Sequence, residues 1–521
     1  MQRGRESPFV FSQQARNIIA PVFMRICFFT CVFVLCTQFS SAEKKFEFNI
    51  TCQRAYFAMM SMHFQEGDSL LAIEEALHPD NLIPYFIADI QDFFTLSFNE
   101  DPAEIKQREP NKQLRIDRMQ SGPKYSPYYL YTQAEILVHW SFIHIANEQN
   151  TTGFFELRKA YHLLEENQKK FPDFIANKKF LGLIHSVVGT IPDSYKWAAT
   201  FLGLKGTVPQ GIAELKEVMD YAQSHSFLFA DEARYVYLFM KLWMDNDPKA
   251  AWQLTEDPQY PSLKNNPLSI YVKAFLAAKI ENNDLAIQIY SSTNSGSDAF
   301  VPWFMYYMFG VSKLRRLDAD ANVQLEKFVQ NFKGTNYLKD AYREIAWAYL
   351  LKGDEAKYHY FMAFCKQKGR LFTDADKDAL DELNSGIPPN VLLLKARLLT
   401  DGAYFDRALQ LLEGKTTDDF SSEKDKLEFT YRLGRIYDES DAPDKAIPYY
   451  KATLDRGASL SYYFAENASL QLAQIYEAGK DFEQARYYYS KCLSMKDNVY
   501  KTSIDQKAKA GLNRINNLQK K

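Results

Sequence analysis

Apolar and small residues recur at helical spacing toward the C-terminal end of the chain, and two stretches there repeat one another. Leu433-Gly434-Arg435-Ile436-Tyr437 is followed by Asp444-Lys445-Ala446-Ile447-Pro448-Tyr449-Tyr450. Leu472-Ala473-Gln474-Ile475-Tyr476 is followed by Glu483-Gln484-Ala485-Arg486-Tyr487-Tyr488-Tyr489. Each small residue, Gly434 or Ala473, precedes a tyrosine three positions on. Each second stretch sets an alanine, Ala446 or Ala485, four residues before Tyr450 or Tyr489. Residues three or four apart share a helical face. The spacing therefore predicts two helices per unit, crossing closely at the small residues, with tyrosines filling the gaps. Ser440 to Asp444 and Gly479 to Asp481 supply turn and helix-start chemistry between them.

The same offsets extend the pattern. Ala396, Leu399, Ala408 and Leu412 follow them around the turn Thr400-Asp401-Gly402-Ala403, and Ala274, Ala277, Ala286 and Tyr290 around Glu281 to Asp284. Ala346 and Tyr349 open another unit with a shorter turn at Lys352-Gly353-Asp354 and a second helix out of strict register. Trp303 to Gly310 with Val323 to Val329 reads as a looser pair. One hairpin cannot bury its apolar face alone, so neighbours must stack.

This pattern resembles the tetratricopeptide-repeat family over the C-terminal half. The resemblance implies an all-α fold, a superhelical array of antiparallel helix pairs, used as a binding surface; it says little about the ligand. The unit spacing exceeds the family's usual ~34 residues, and the excess is expected between repeats, around Asp455 to Tyr462. The N-terminal half reads as a degenerate helical block. Gln133 to Ala146 and Phe154 to Lys170, closed by Phe171-Pro172, form one expected helix pair. Between Gly189 and Tyr221 a proline-led apolar segment, a glycine-bounded turn and an amphipathic helix are similar to a branch of eukaryotic tetratricopeptide proteins linked to the mitochondrial outer membrane and inclusion clearance. The export signal departs from that branch, and no function is carried over.

That signal precedes the repeats. Met24-Arg25, the apolar run Ile26 to Phe39 and the small residues Ser40-Ser41-Ala42 make the three parts of a secretory signal peptide. The run is shorter than the ~20 residues of a spanning helix. The expected organisation is a signal over 1–42, with translation expected to begin at Met24, a degenerate block over 43–265 and a repeat array over 266–521. Export would be to the periplasm or the periplasmic side of the outer membrane in a bacterium, and secretion otherwise. Cys27, Cys31 and Cys36 leave with the signal, and Cys52, Cys365 and Cys492 form no disulfide or zinc pattern. Cys36 follows Leu35, where a lipobox wants a small residue.

Composition narrows the partners. The formal charge is −3, and removing residues 1–42 takes four arginines and one glutamate with it. That acidity argues against nucleic acid. Of eight histidines, His139 stands four residues after Glu135 on one predicted helix, which could place both on one metal, but no HExxH motif completes a metal site. Asp318-Ala319-Asp320-Ala321-Asn322 and Asp374-Ala375-Asp376-Lys377-Asp378 mimic calcium loops, but Val323 and Ala379 stand where the turn needs glycine. Both read as acidic first turns of helices. No phosphate loop or nucleophile elbow appears, and no cofactor is expected. Asn49, Asn150 and Asn467 head glycosylation triplets.

The expected activity is non-catalytic, binding a protein or peptide. The candidate binding residues are those one after and three before each small position: Arg343 and Trp347, Arg397, Tyr431 and Arg435. Three arginines and two aromatics on one concave wall suit an acidic peptide. The competing reading pairs each arginine with an acidic neighbour such as Glu428 or Asp438. Two other classes stay open: an envelope nutrient-capture protein on helical repeats, and an enzyme whose site would show as clustered buried acids or histidines.

Overall fold

A computed structural model describes residues 43–191, 203–257, 266–292, 299–495 and 500–518. The expected signal, and the Pro192 to Leu202 part of the aromatic insertion, lie outside them. The described residues are all-α, with an isolated bridge between Lys45 and Asn81.

The chain is a superhelical array of antiparallel helix pairs. Its degenerate block pairs Ile50–Met60 with Phe64–Leu77, Ile83–Asn99 with Pro102–Gln120, Tyr128–Ala146 with Asn150–Lys170, Asn177–Gly189 with Val208–Ser224, and Ala230–Trp243 with Pro248–Glu256. The array continues with Pro267–Lys279 and Asn283–Ser291, Trp303–Arg315 and Ala321–Asn331, then Leu338–Leu351 and Glu355–Met362. After Phe364–Gln367 and Asp374–Ser385 come Val391–Asp401 with Phe405–Leu412, Glu423–Glu439 with Pro443–Gly457, Tyr463–Ala478 with Phe482–Leu493, and the closing helix Lys501–Leu518.

Small residues sit at the crossings. Ala274, Ala346, Ala396, Ala446, Ala473 and Ala485 are fully buried. Gly310 meets Leu325, and Gly511 lies on the Tyr489 ring. The excess repeat length resides partly in the helices: Asp455 to Gly457, expected between units, still belong to Pro443–Gly457. A crossing between two glycines lies in the degenerate block. A Cβ on Gly211 would stand 2.1 Å from the Gly182 carbonyl oxygen, so helices Asn177–Gly189 and Val208–Ser224 touch backbone to backbone.

One device closes most hairpins. Met62, Glu148, Glu281, Gly353, Ala403, Asp441 and Lys480 all have positive φ, and each stands two residues before its second helix. The next amide bonds back five residues: Tyr404 N–H to Leu399 O at 2.8 Å, Ala442 to Tyr437 at 2.8 Å, Asp481 to Tyr476 at 2.9 Å. This is the Schellman closure, which satisfies the last carbonyls of the first helix.

The array also curls back on itself. Phe300 N–H donates to Met62 O at 2.8 Å, and Phe98 packs on Tyr271. Arg370 is the clasp. It donates to Ala146 O at 2.7 Å and Asn336 Oδ1 at 3.0 Å, and pairs with Glu148 at 3.2 Å. Asp374 and Asp376 stand in the first turn of Asp374–Ser385 as expected, whereas Asp318 and Asp320 precede Ala321–Asn331, with Asp320 at its N-cap position. Asp376 accepts the backbone N–H groups of Tyr337, Lys339 and Asp340, capping Leu338–Leu351 from outside.

Candidate functional site

Of the five expected binding residues, Arg397, Tyr431 and Arg435 line a cavity, whereas Arg343 and Trp347 are buried and do not face it, because ion pairing and packing within the helix stack take up their side chains. Arg343 and Arg397 lie over the Trp347 ring, 4.5 and 4.9 Å from its centroid. Trp347 Nε1 donates to Glu382 at 2.8 Å, which fixes the indole. Arg397 and Arg435 flank Asp401, at 3.7 and 3.0 Å. Arg397 and Arg435 stand on the first helices of successive pairs, and Arg343 stands on Leu338–Leu351, separated from Val391–Asp401 by the additional helices Phe364–Gln367 and Asp374–Ser385.

Their surroundings differ. Arg343 is buried, paired with Asp340 and 3.9 Å from Asp378. Arg397 and Arg435 are half-buried. Arg435 pairs with Asp401 and with Glu439 at 2.7 Å. Glu428 and Asp438, the acids expected beside these arginines, serve other groups: Glu428 holds buried Arg432, and Asp438 accepts from Tyr450. Arg397 makes no hydrogen bond among the described residues, and its guanidinium reaches Asp401 only at 3.7 Å.

Arg397 and Arg435 open onto a cavity of about 330 Å³. Tyr431, Arg432, Tyr463, Asn467, Gln471, Tyr500, Ser503, Ile504 and Lys507 line the rest, with Asp401 and Glu439. Sequence reasoning found Arg397, Tyr431 and Arg435 and missed the opposite wall. The signal was present as helical spacing: Tyr463, Asn467 and Gln471 are four apart, and Tyr500, Ser503 and Lys507 are three and four apart. Asn467, which heads one of the glycosylation triplets, donates to Tyr431 Oη at 2.6 Å.

Electrostatics in the cleft are governed by the guanidiniums. Burial would raise the Asp401 carboxyl, but Arg435, Arg397, Arg315 and Arg432 hold it down at about 2. Glu439 is raised, because burial outweighs Arg435. Donors dominate the lining, and it contains neither histidine nor cysteine. Such a surface complements carboxylates and peptide carbonyls.

Buried acids and a histidine do cluster elsewhere. Glu135, His139 and Glu232 bring their ligand-type atoms within 4.8 Å of one another. Lys179, fully buried, pairs with Glu232 at 2.6 Å and Glu135 at 3.2 Å, and Tyr56 donates to Glu232 at 2.7 Å. The Lys179 ammonium also lies over Phe180 and Phe229. A side-chain cation thus takes the place between the two carboxylates. His139 is turned to Asp89 at 2.9 Å, which outweighs burial and raises its pKa. Glu135 and Lys179 have no exposure to solvent, which closes the cluster to a substrate. Cys52, Cys365 and Cys492 are buried and unbridged.

No family model matches the chain, and no curated protein matches it. Among solved structures, a monomeric mutant of IFIT1 with m7Gppp-AAAA is similar at 15% identity and a TM-score of 0.26, over 79% of this chain and 82% of that one. A likeness of that size has no bearing on function. Among the described residues, no helix is long and apolar enough to cross a membrane.

Proposed function

We propose that this chain is a non-catalytic scaffold of tetratricopeptide-like helix pairs that takes an acidic peptide segment in the cleft between Val391–Asp401, Glu423–Glu439, Tyr463–Ala478 and Lys501–Leu518. The observation that carries this is Arg397: a guanidinium facing the cavity with no hydrogen bond of its own. A partly desolvated cation whose ion pair, with Asp401, is as long as 3.7 Å gains from an incoming carboxylate. Tyr463, Asn467 and Gln471 supply side-chain partners for peptide groups beside it. A fluorescently labelled glutamate-rich peptide tests this by anisotropy. Arg397→Ala and Lys507→Ala should each weaken binding, and added salt should weaken it further, since exposed charges are screened over ~8–10 Å. Unchanged binding in both variants overturns the assignment.

Export belongs to the same proposal. Cleavage after Ala42 would leave Glu43 as the first residue, delivering the scaffold to the bacterial periplasm or outer membrane, or outside the cell in another host. The sequence pattern of Ile26 to Ala42 supports this. N-terminal sequencing of the native protein decides it, and Met1 retained in a cytosolic fraction overturns it.

A further inference from the structure

The anionic seat of the cleft is already taken by the chain itself. Asp401 is the last residue of helix Val391–Asp401. A carboxylate there faces the helix's unsatisfied carbonyls, which disfavours it. The arginines hold it in place: Oδ1 lies 3.0 Å from Arg435 Nη1, and Oδ2 lies 3.7 Å from Arg397 Nε. One guanidinium, Arg397, comes from Asp401's own helix and the other, Arg435, from Glu423–Glu439. A ligand carboxylate spanning Arg397 and Arg435 would make the same bridge.

We propose that Asp401 is a tethered competitor, occupying the arginine seat and setting which acidic ligands enter; this rests on the reading of the cleft as an acidic-peptide site. Three features make displacement feasible. The Asp401 side chain is 25% exposed, so it can turn into water. Arg435 keeps Glu439 at 2.7 Å when Asp401 leaves, so the cleft wall stays paired. Arg397 has no hydrogen bond to lose. A group on the same chain competes at millimolar effective concentration or above. A ligand with a single carboxylate therefore gains little by replacing Asp401. One with several gains further contacts, Lys507 among them, on the far side of the cavity. Asp401 thereby selects for clustered acids over isolated ones.

Asp401→Asn keeps the shape and removes the charge. The probe is a labelled hexaglutamate peptide, compared with a peptide carrying one glutamate. Asp401→Asn should bind the single-glutamate peptide about tenfold more tightly, with a smaller gain for hexaglutamate, so that discrimination between them narrows. Asp401→Ser supplies a second neutral side chain, so the result does not hang on how one substitution folds. Adding Arg397→Gln to Asp401→Asn should abolish the gain. If neutral variants bind as the parent does or more weakly while Arg397→Ala still weakens binding, Asp401 orients the arginines and is no competitor. If neither peptide binds the parent or any variant, the acidic-peptide reading itself falls, a result distinct from the first.

Discussion

Gly434 lies flat against the ring of Tyr450: a Cβ at 434 would stand 2.6 Å from Tyr450 Cδ1. The contact fixes how closely helices Glu423–Glu439 and Pro443–Gly457 approach, and the Tyr450 hydroxyl, bonded to Asp438 at 3.0 Å, holds the ring there. Gly434→Leu should overpack this crossing and cost about 1–3 kcal/mol. A chemical-denaturation midpoint equal to the parent's would show that the crossing yields.

Ala403 carries φ +60° in the turn between Val391–Asp401 and Phe405–Leu412. A residue with a Cβ pays about 1–2 kcal/mol for that conformation, and glycine does not. Offset by glycine's greater chain entropy, Ala403→Gly should stabilise the protein by about 0.5–1 kcal/mol. Thermal melting checks the sign; a lower melting temperature contradicts it.

Lys179 neutralises two buried carboxylates. Lys179→Met leaves Glu135 and Glu232 facing one another without a cation, and should cost about 3–5 kcal/mol. Replacing the three together, Glu135→Gln and Glu232→Gln with Lys179→Met, should recover part of the loss. Equilibrium unfolding of the single and triple variants gives both values.

Glu100 sits at the curled-back junction, where Gly334 packs on its Cβ. Burial raises its carboxyl to about 7, against the opposing pull of Arg370 and of hydrogen bonds from Asn336; Asp376 adds to the rise. Its folded pKa exceeds its unfolded one, so its contribution is fully present below the ordinary carboxylate range. It is lost as pH rises toward and through 7. Glu100→Gln should therefore flatten the decline in stability between pH 5 and 8. Denaturation midpoints at both pH values, parent against variant, measure the difference; equal slopes refute it.

The helix pairs of the array were legible because small residues, tyrosines and offsets of three and four survive in each unit. The closures were not. Glycine marks the left-handed turn residue at Gly353, but glutamate, alanine, aspartate and lysine hold the same conformation at Glu281, Ala403, Asp441 and Lys480. Spacing likewise placed Arg397 and Arg435 on one wall, because equivalent repeat positions superpose. It did not reveal which acid each would meet. Glu439 is one turn on in Arg435's own helix, but Asp401 comes from the preceding unit, and only stacking brings it to Arg435. The clasp at Arg370 is further out of reach, since its partner Ala146 lies 224 residues away.

That clasp bears on synthesis. A ribosome delivers the Ala146 and Glu100 surfaces long before residues 334–370 exist to cover them. At ~5–20 residues per second, the first block waits tens of seconds with this seam open. Near the other end, Tyr500 bonds to Asp378, so the same middle stretch receives the C-terminal side last. Residues 334–378 are thus made after the surface they cover and before the tail that packs on them, so in order of synthesis both seams close from the middle of the chain outward.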